Sequence, residues 1–402
     1  MKNVKLDTLA WFQEGPGVRN TQYTKTGVKL INVTNLVDGV LDLSLTSRFI
    51  SESEAYGRYN HFMCEEGDLV IASSGITYDS IPNKVSFVRK NDLPLCMNTS
   101  VIRFRSLDEK ELNIKYLYYF FKSNCFRNQI SKLMTGSAQL NFGPSHLHKI
   151  YIPICDLPEQ KKIVSILDEL NNTLSSTKKE LILFDELIKA RFIEMFGDPL
   201  DNPNGYDIKP ISELFDVGSS KRVFESEWTD TGVPFYRARE IIKLSNEGFV
   251  DNELFITEEM YETYKAKYGV PKKDDMMVTG VGTLGVCYIV KDTDKFYFKD
   301  GNTLWFKNKK LCNVRFIKEQ YEMDYVLDQI QGSANVSTVG TYTITNANET
   351  KVLVPPLPLQ NEFVCFVENV DKAKEKNKNE AQQINLLIEK HLSEFYPVIE
   401  ED

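Results

Sequence analysis

Histidine is scarce in this chain, at four of 402 residues. His146 and His148 stand two apart, but no cysteine or carboxylate cluster completes a metal site around them, so a structural or surface role is expected. Seven cysteines are scattered singly with no Cys-x-x-Cys pair. An odd count without metal spacing predicts reduced thiols in a cytoplasmic protein. No window approaches the ~18 consecutive apolar residues that span a bilayer. The start, MKNVKLDTLAWFQEG, has no apolar signal core, so no export is expected. A GxxxxGK[ST] phosphate loop is missing, as are a Gly-rich methyl-donor loop and an Asn-Pro-Pro-Tyr-like tetrapeptide. Asn202-Pro203-Asn204-Gly205 reads as a turn. Asp108-Glu109-Lys110 and Glu349-Thr350-Lys351 each form half of a nuclease carboxylate–lysine motif, without a well-placed partner acid. Ser175 and Lys178 share a helix surface and read as a surface pair. No catalytic residue and no metal ligand is assigned, and the expectation is a protein that is not an enzyme.

What is present is ordinary globular composition, 42% hydrophobic and 26% charged. The length suits two domains of near-average size. Net charge is −9, which at first speaks against nucleic acid. Regional balance is uneven: +3 over residues 1–157, −1 over 158–196, −6 over 197–358 and −5 over 359–402. A local basic face acts within a Debye length of ~8 Å, so global charge does not exclude DNA. It predicts modest affinity for the isolated chain, with partners supplying further phosphate contacts.

The sequence repeats itself. Ile152-Pro153-Ile154-Cys155-Asp156-Leu157-Pro158-Glu159-Gln160 is echoed by Val354-Pro355-Pro356-Leu357-Pro358-Leu359-Gln360, with Leu-Pro-x-Gln in register. In each copy prolines occupy an extended lead-in and a helix starts after the last one, where proline is tolerated. Upstream echoes keep the same order. Gly27-Val28 matches Gly232-Val233, Gly67 to Ile71 matches Lys273 to Val278, Asn98-Thr99 matches Asn302-Thr303, and Met134 to Gln139 matches Gln331 to Asn335. The matched segments read as short strands, and Ile114 to Ile130 and Val314 to Ile330 as helices. The expected fold class is α+β: two tandem mixed domains, 1–157 and 197–358, followed by long helices at 158–196 and 359–402.

Both helices carry heptads. In the first, Ile163, Leu167, Leu170, Leu174, Leu181, Phe184 and Ile188 form an apolar seam with Thr177 among them. In the second, Phe363, Val367, Val370, Ile384 and Ile388 do so, interrupted by Lys374 and Asn377 within a charged run that reads as a solvated face. A helix of this length spans ~58 Å. Antiparallel pairing would make a coiled-coil-like spacer and give the copies an approximate two-fold relation. Such a spacer is comparable with the ~34–36 Å of a DNA helical turn.

The pattern Ile-Pro-x-x-x-Leu-Pro-Glu-Gln-Lys-Lys-Ile-Val before a heptad helix resembles the conserved region of type I restriction–modification specificity subunits. So do Gly136-Ser137-Ala138-Gln139-Leu140-Asn141 and Gly218-Ser219-Ser220-Lys221-Arg222 through Gly232-Val233-Pro234-Phe235-Tyr236-Arg237. The second copy departs from the pattern, with Leu359-Gln360-Asn361-Glu362 where the first has Pro-Glu-Gln-Lys. The resemblance implies a non-catalytic reader of double-stranded DNA in which each domain reads one half of a bipartite asymmetric site. It implies two adenine-methyltransferase subunits carrying S-adenosylmethionine, and translocase–nuclease subunits using ATP and Mg; no cofactor is expected on this chain. Specific readout needs Arg or Lys for guanine, Asn or Gln for adenine, and Ser or Thr more flexibly. Candidates in the first domain are Arg19, Asn20, Gln22, Tyr23, Ser73, Ser74, Tyr78, Lys84, Gln139 and Asn141. In the second they are Ser219, Ser220, Lys221, Arg222, Arg237, Arg239, Thr279, Thr283, Asn335 and Thr341. Gly280, Gly282 and Gly285 would let backbone approach phosphate. A different reading is a paired-helix scaffold whose domains bind protein or carbohydrate.

Overall fold

The computed structural model describes residues 1–44, 46–134, 141–334 and 340–399. Packing groups the chain into two units: Met1–Lys179 with the segment from Asn377 onward, and Glu180–Lys376. The cut falls inside both long helices, Leu157–Phe196 and Leu357–Phe395.

The first unit is built on an antiparallel sheet in the order Ala10–Glu14, Val101–Ser106, Leu69–Ala72, Val85–Phe87. All four residues of Leu69–Ala72 are buried, as an apolar run in a central strand requires. Helices Ile114–Lys122 and Asn124–Leu133 pack their aromatics here, with Phe121 4.8 Å from Phe104 between ring centroids. The single helix expected from Ile114 to Ile130 is broken at Ser123. Its hydroxyl donates to the Phe120 carbonyl at 2.6 Å and accepts the Phe126 N–H, ending one helix and capping the next. A smaller sheet joins Phe49–Ile50, Val28–Ile31 and Leu95–Met97, the last two parallel. Lys2–Lys5 pairs antiparallel with Tyr151–Ile154, the strand that feeds the long helix.

The second unit repeats this topology. Its main sheet runs Phe215–Gly218, Thr303–Asn308, Met276–Thr279, Cys287–Ile289. Its smaller sheet runs Phe255–Ile256, Val233–Tyr236, Tyr297–Phe298, again with one parallel pair. Asp207–Pro210 pairs with Lys351–Val354. The helical stretch is again broken, into Val314–Tyr321 and Asp324–Ala334. Gly27 and Gly232 both hold φ +130°, and a Cβ there would lie 2.2 and 2.3 Å from the carbonyl oxygens of Ile50 and Ile256. One echo is displaced: Ser73 N–H donates to Ser100 and Gly280 N–H to Asn302, so the counterpart of Asn302 is Ser100, not Asn98.

The shared Leu-Pro-x-Gln has a physical role. Gln160 is fully buried; it accepts the Asn113 N–H and donates to the Glu111 and Cys155 carbonyls, each at 2.9 Å. Gln360 accepts the Asn313 N–H at 2.9 Å and donates to the Pro355 carbonyl at 2.7 Å. A buried amide thus ties each long helix to its domain.

In each unit the start of one long helix packs antiparallel on the end of the other. Ile163, Val164, Leu167, Leu392 and Tyr396 share the first core, with Ile388 against it. Leu174 is also buried, while Leu170 and Ile384 are half-buried. In the second unit Ile188, Phe192 and Phe196 share a core with Phe363, Val364, Val367 and Val370, flanked by Phe184. Phe192 and Phe363 meet at 5.5 Å, Asp185 pairs with Lys374, and Leu181 is half-buried. Lys374 is therefore mostly covered and ion-paired, a correction to the fully solvated charged run.

Candidate nucleic-acid interface

In the first unit Glu14, Ala72, Val85 and Val101 lie at one end of the main sheet. The loops there are stitched together by backbone: Gly15 N–H to Val101, Ser73 N–H to Ser100 and Phe142 N–H to Ser73, at 2.8–3.0 Å. Gly75 N–H donates to the Asn141 side chain at 3.1 Å. These bonds bring segments 15–27, 73–84, 98–100 and 141–143 to one place. Arg19, Asn20 and Asn141 are exposed there, and Tyr23 and Ser74 half-buried.

Other candidates in this unit are engaged internally. Gln22 donates to Glu54 and to the Tyr59 hydroxyl, and accepts the Arg19 N–H. Tyr78 donates to Asn128 at 2.6 Å, with the Arg127 guanidinium over its ring. Lys84 donates to the Leu36 carbonyl at 2.6 Å and to that of Val33, closing the turn after Val28–Ile31. Ser73 is buried, and its hydroxyl has no hydrogen-bond partner among the described residues. Gln139 lies outside the described residues.

The second unit converges at the equivalent end. Gly280 N–H donates to Asn302 and Tyr342 N–H to Gly280, both at 2.9 Å, which sets half-buried Thr341 beside the glycine loop. The Ser219 hydroxyl accepts the Gly301 N–H, Ser220 donates to the Phe298 carbonyl at 2.6 Å, and Arg222 pairs with Asp300 at 2.9 Å. Lys221 and Thr283 are exposed. Thr279 is fully buried, donating to the Thr283 carbonyl and accepting the Val286 N–H, so it shapes the loop from beneath. Gly282 and Gly285 hold φ +72° and +77°, and a Cβ at Gly280 would lie 2.9 Å from the Tyr342 carbonyl oxygen. Arg237 and Arg239 are both bonded to Glu240. Asn335 lies outside the described residues.

A family model, the type I restriction modification DNA specificity domain, matches residues 15–183 and again 203–386. The chain belongs to this family. A Haemophilus influenzae protein assigned as a type I restriction enzyme specificity subunit is 27% identical over 65% of the chain, and the MjaIX specificity subunit of Methanocaldococcus jannaschii is 23% identical over 71%. The matches span 66% and 68% of those relatives' lengths. The solved S subunit from M. genitalium shares the fold, with TM-score 0.55 at 18% identity over 99% of this chain and 96% of that one. A chain from a structure titled for complex assembly and conformational transition of the type I R-M system gives 0.57 at 13%, over 99% and 98%.

Within this specificity-domain chain the two units differ electrically. The first carries 24 basic and 24 acidic side chains, the second 24 and 33. Arg222, Arg237 and Arg239 are each neutralised by a carboxylate, whereas no ion pair is found for the Arg19 guanidinium among the described residues. Burial acts to raise the pKa of Glu240, but bonds from Arg237 and Arg239 outweigh it and hold the carboxyl down at about 2. The histidines are engaged locally, His146 accepting the Gly143 N–H and His148 beside Asp7 at 2.8 Å. Among the described residues no cluster of three or more His, Cys, Asp or Glu is arranged to hold a metal, and no helix is long and apolar enough to cross a membrane.

Sequence reasoning missed Glu240, Lys299 and Asp300. The polar run Lys299-Asp300-Gly301-Asn302 after apolar Phe296-Tyr297-Phe298 signals a strand end and could have located two of them. It also missed Asn32 and Asn98, both buried, where Asn98 donates to Asn32 at 2.9 Å under the first loop cluster.

Proposed function

We propose that this chain is the non-catalytic DNA-recognition subunit of a type I restriction–modification complex, each unit reading one half of a bipartite, asymmetric site. The observation that carries this reading is the repeated topology with diverged polar loops at the same sheet end in both units. Repetition supports one mode of engagement twice, and divergence supports different bases in each half. Two methyltransferase subunits would supply S-adenosylmethionine, and translocase–nuclease subunits ATP and Mg, all in the cytoplasm. Exposed Ile182, Leu183, Leu187 and Ile193 on the long helix of the second unit support a protein partner there.

The loop residues take two roles. Exposed Arg19, Asn20, Asn141, Lys221 and Thr283, with Arg222 and Arg237, are the proposed contacts to base edges or phosphates. Gln22, Ser73, Tyr78, Lys84 and Thr279 hold the loops that present them.

The test is co-expression with an adenine-methyltransferase subunit, followed by single-molecule sequencing of the methylated DNA. A split motif with two defined halves is expected. Methylation without a motif, or no association with the methyltransferase, would overturn the reading. Arg222→Ala should reduce methylation of the cognate site far more than nonspecific binding. Equal loss on all sequences would reassign Arg222 to phosphate.

A further inference from the structure

We propose that Glu240 is a positioning residue for DNA reading by the second unit: its buried carboxylate grips the side edge of the Arg237 guanidinium and leaves the outer fork free for a guanine. This rests on the DNA-reading role proposed above.

Both units share a turn at the end of the first strand of the smaller sheet's parallel pair. After Val233–Tyr236 the chain enters helix Ala238–Glu247, and Glu240 closes the turn by accepting the Arg237 N–H at 2.9 Å. After Val28–Ile31 in the first unit, Asn35 accepts the Asn32 N–H at 2.9 Å in the same way. A neutral amide therefore suffices to make the turn. The side-chain nitrogen of Asn35 goes to the Asp42 carbonyl and the Thr46 hydroxyl, so its slot serves local structure.

The charge at Glu240 has a different use. One oxygen accepts Arg237 Nε at 3.1 Å, and the other accepts Arg237 Nη2 at 2.9 Å and Arg239 Nε at 2.8 Å. Arg239 is braced from its other side by Glu253 at 2.9 Å. Glu240 is 2% exposed, so the carboxylate is a fixed part of the fold. Side-on engagement spends the Nε–H and one Nη2–H of Arg237. The Nη1–H and the remaining Nη2–H form the outer fork, whose spacing matches the O6 and N7 acceptors of guanine in the major groove.

The location fits. Lys299 N–H donates to the Tyr236 carbonyl, so Arg237 stands at the strand end that also carries Ser220 and the Arg222–Asp300 pair. An arginine already held in one rotamer loses less entropy on reading a base than a free one.

The experiment uses the complex with its methyltransferase subunit on a randomised DNA library, with methylation read by single-molecule sequencing. Glu240→Gln keeps an acceptor for the turn and removes the charge. The expected result is a folded protein with a lowered melting temperature and a loss of about tenfold or more in discrimination at one guanine of one half-site, the other half unchanged. Arg237→Lys, which leaves the backbone turn intact, should lose discrimination at that same position with nonspecific binding within about twofold. If Glu240→Gln fails to fold, Arg237→Lys decides alone, and uniform loss over all sequences overturns the proposal. If Glu240 merely neutralises its arginines, Glu240→Gln raises methylation of all sites at low salt without changing the motif, which also overturns it. An unchanged Glu240→Gln motif does the same. A wild-type complex that yields no split motif overturns the DNA-reading role itself, and this proposal with it.

Discussion

Gln160→Ala tests whether the repeated Leu-Pro-x-Gln is structural. The side chain is fully buried and makes three hydrogen bonds, to Asn113 N–H and to the carbonyls of Glu111 and Cys155. Truncation leaves a donor and two acceptors without their partner, at about 1 kcal/mol each, so the expected loss is about 3 kcal/mol. For a body of this size that lowers the melting temperature by roughly 6–12 °C. Gln360 makes bonds to Asn313 N–H and the Pro355 carbonyl, so Gln360→Ala should cost about 2 kcal/mol. Gln160→Glu should be at least as harmful as Ala, because it faces a carboxylate toward two carbonyl oxygens. Calorimetry and urea unfolding of the three variants measure the order. A loss below about 1 kcal/mol for Gln160→Ala, or a larger loss at Gln360, would refute the reasoning. At permissive temperature the methylation motif should not change, since neither residue is on a recognition loop.

Gly27→Ala and Gly232→Ala should each destabilise by more than about 2 kcal/mol in thermal melts, because each combines φ +130° with a backbone oxygen in the place of the Cβ. Gly282→Ala, with open space at its Cβ and φ +72°, should cost about 1 kcal/mol. Because the Glu240 carboxyl is held down at about 2, its ionised form contributes stability above the ordinary carboxylate range. That contribution is lost as pH falls from about 4.5 toward 2, so the melting-temperature gap between wild type and Glu240→Gln should narrow over that window. Burial pushes the thiols of Cys125 up to about 11 and of Cys96 and Cys312 to about 12, so few are thiolate at pH 8. A thiol reagent should label exposed Cys365 first and the buried cysteines only on unfolding, measured by mass spectrometry.

Much was legible in one dimension. The duplication, the apolar seam from Ile163 to Ile188 and the helix starts follow from local rules, because proline placement, heptad spacing and short apolar runs constrain structure within a few residues. The loops that converge at each sheet end were also found, since Gly, Ser, Thr and Asn mark strand ends. Which polar side chains remain free in those loops was not legible. Lys84 and Arg19 are both cations in polar loops, yet Lys84 is spent on the Leu36 carbonyl 48 residues away while Arg19 faces solvent. Glu240 looks like any acid in a first helical turn until the fold places Arg237 and Arg239 against it. The sequence by itself determined that there are two like domains and two long helices. Only the tertiary structure decided that the start of each helix packs with the end of the other, and which polar groups are occupied, because both depend on partners brought together across tens to hundreds of residues.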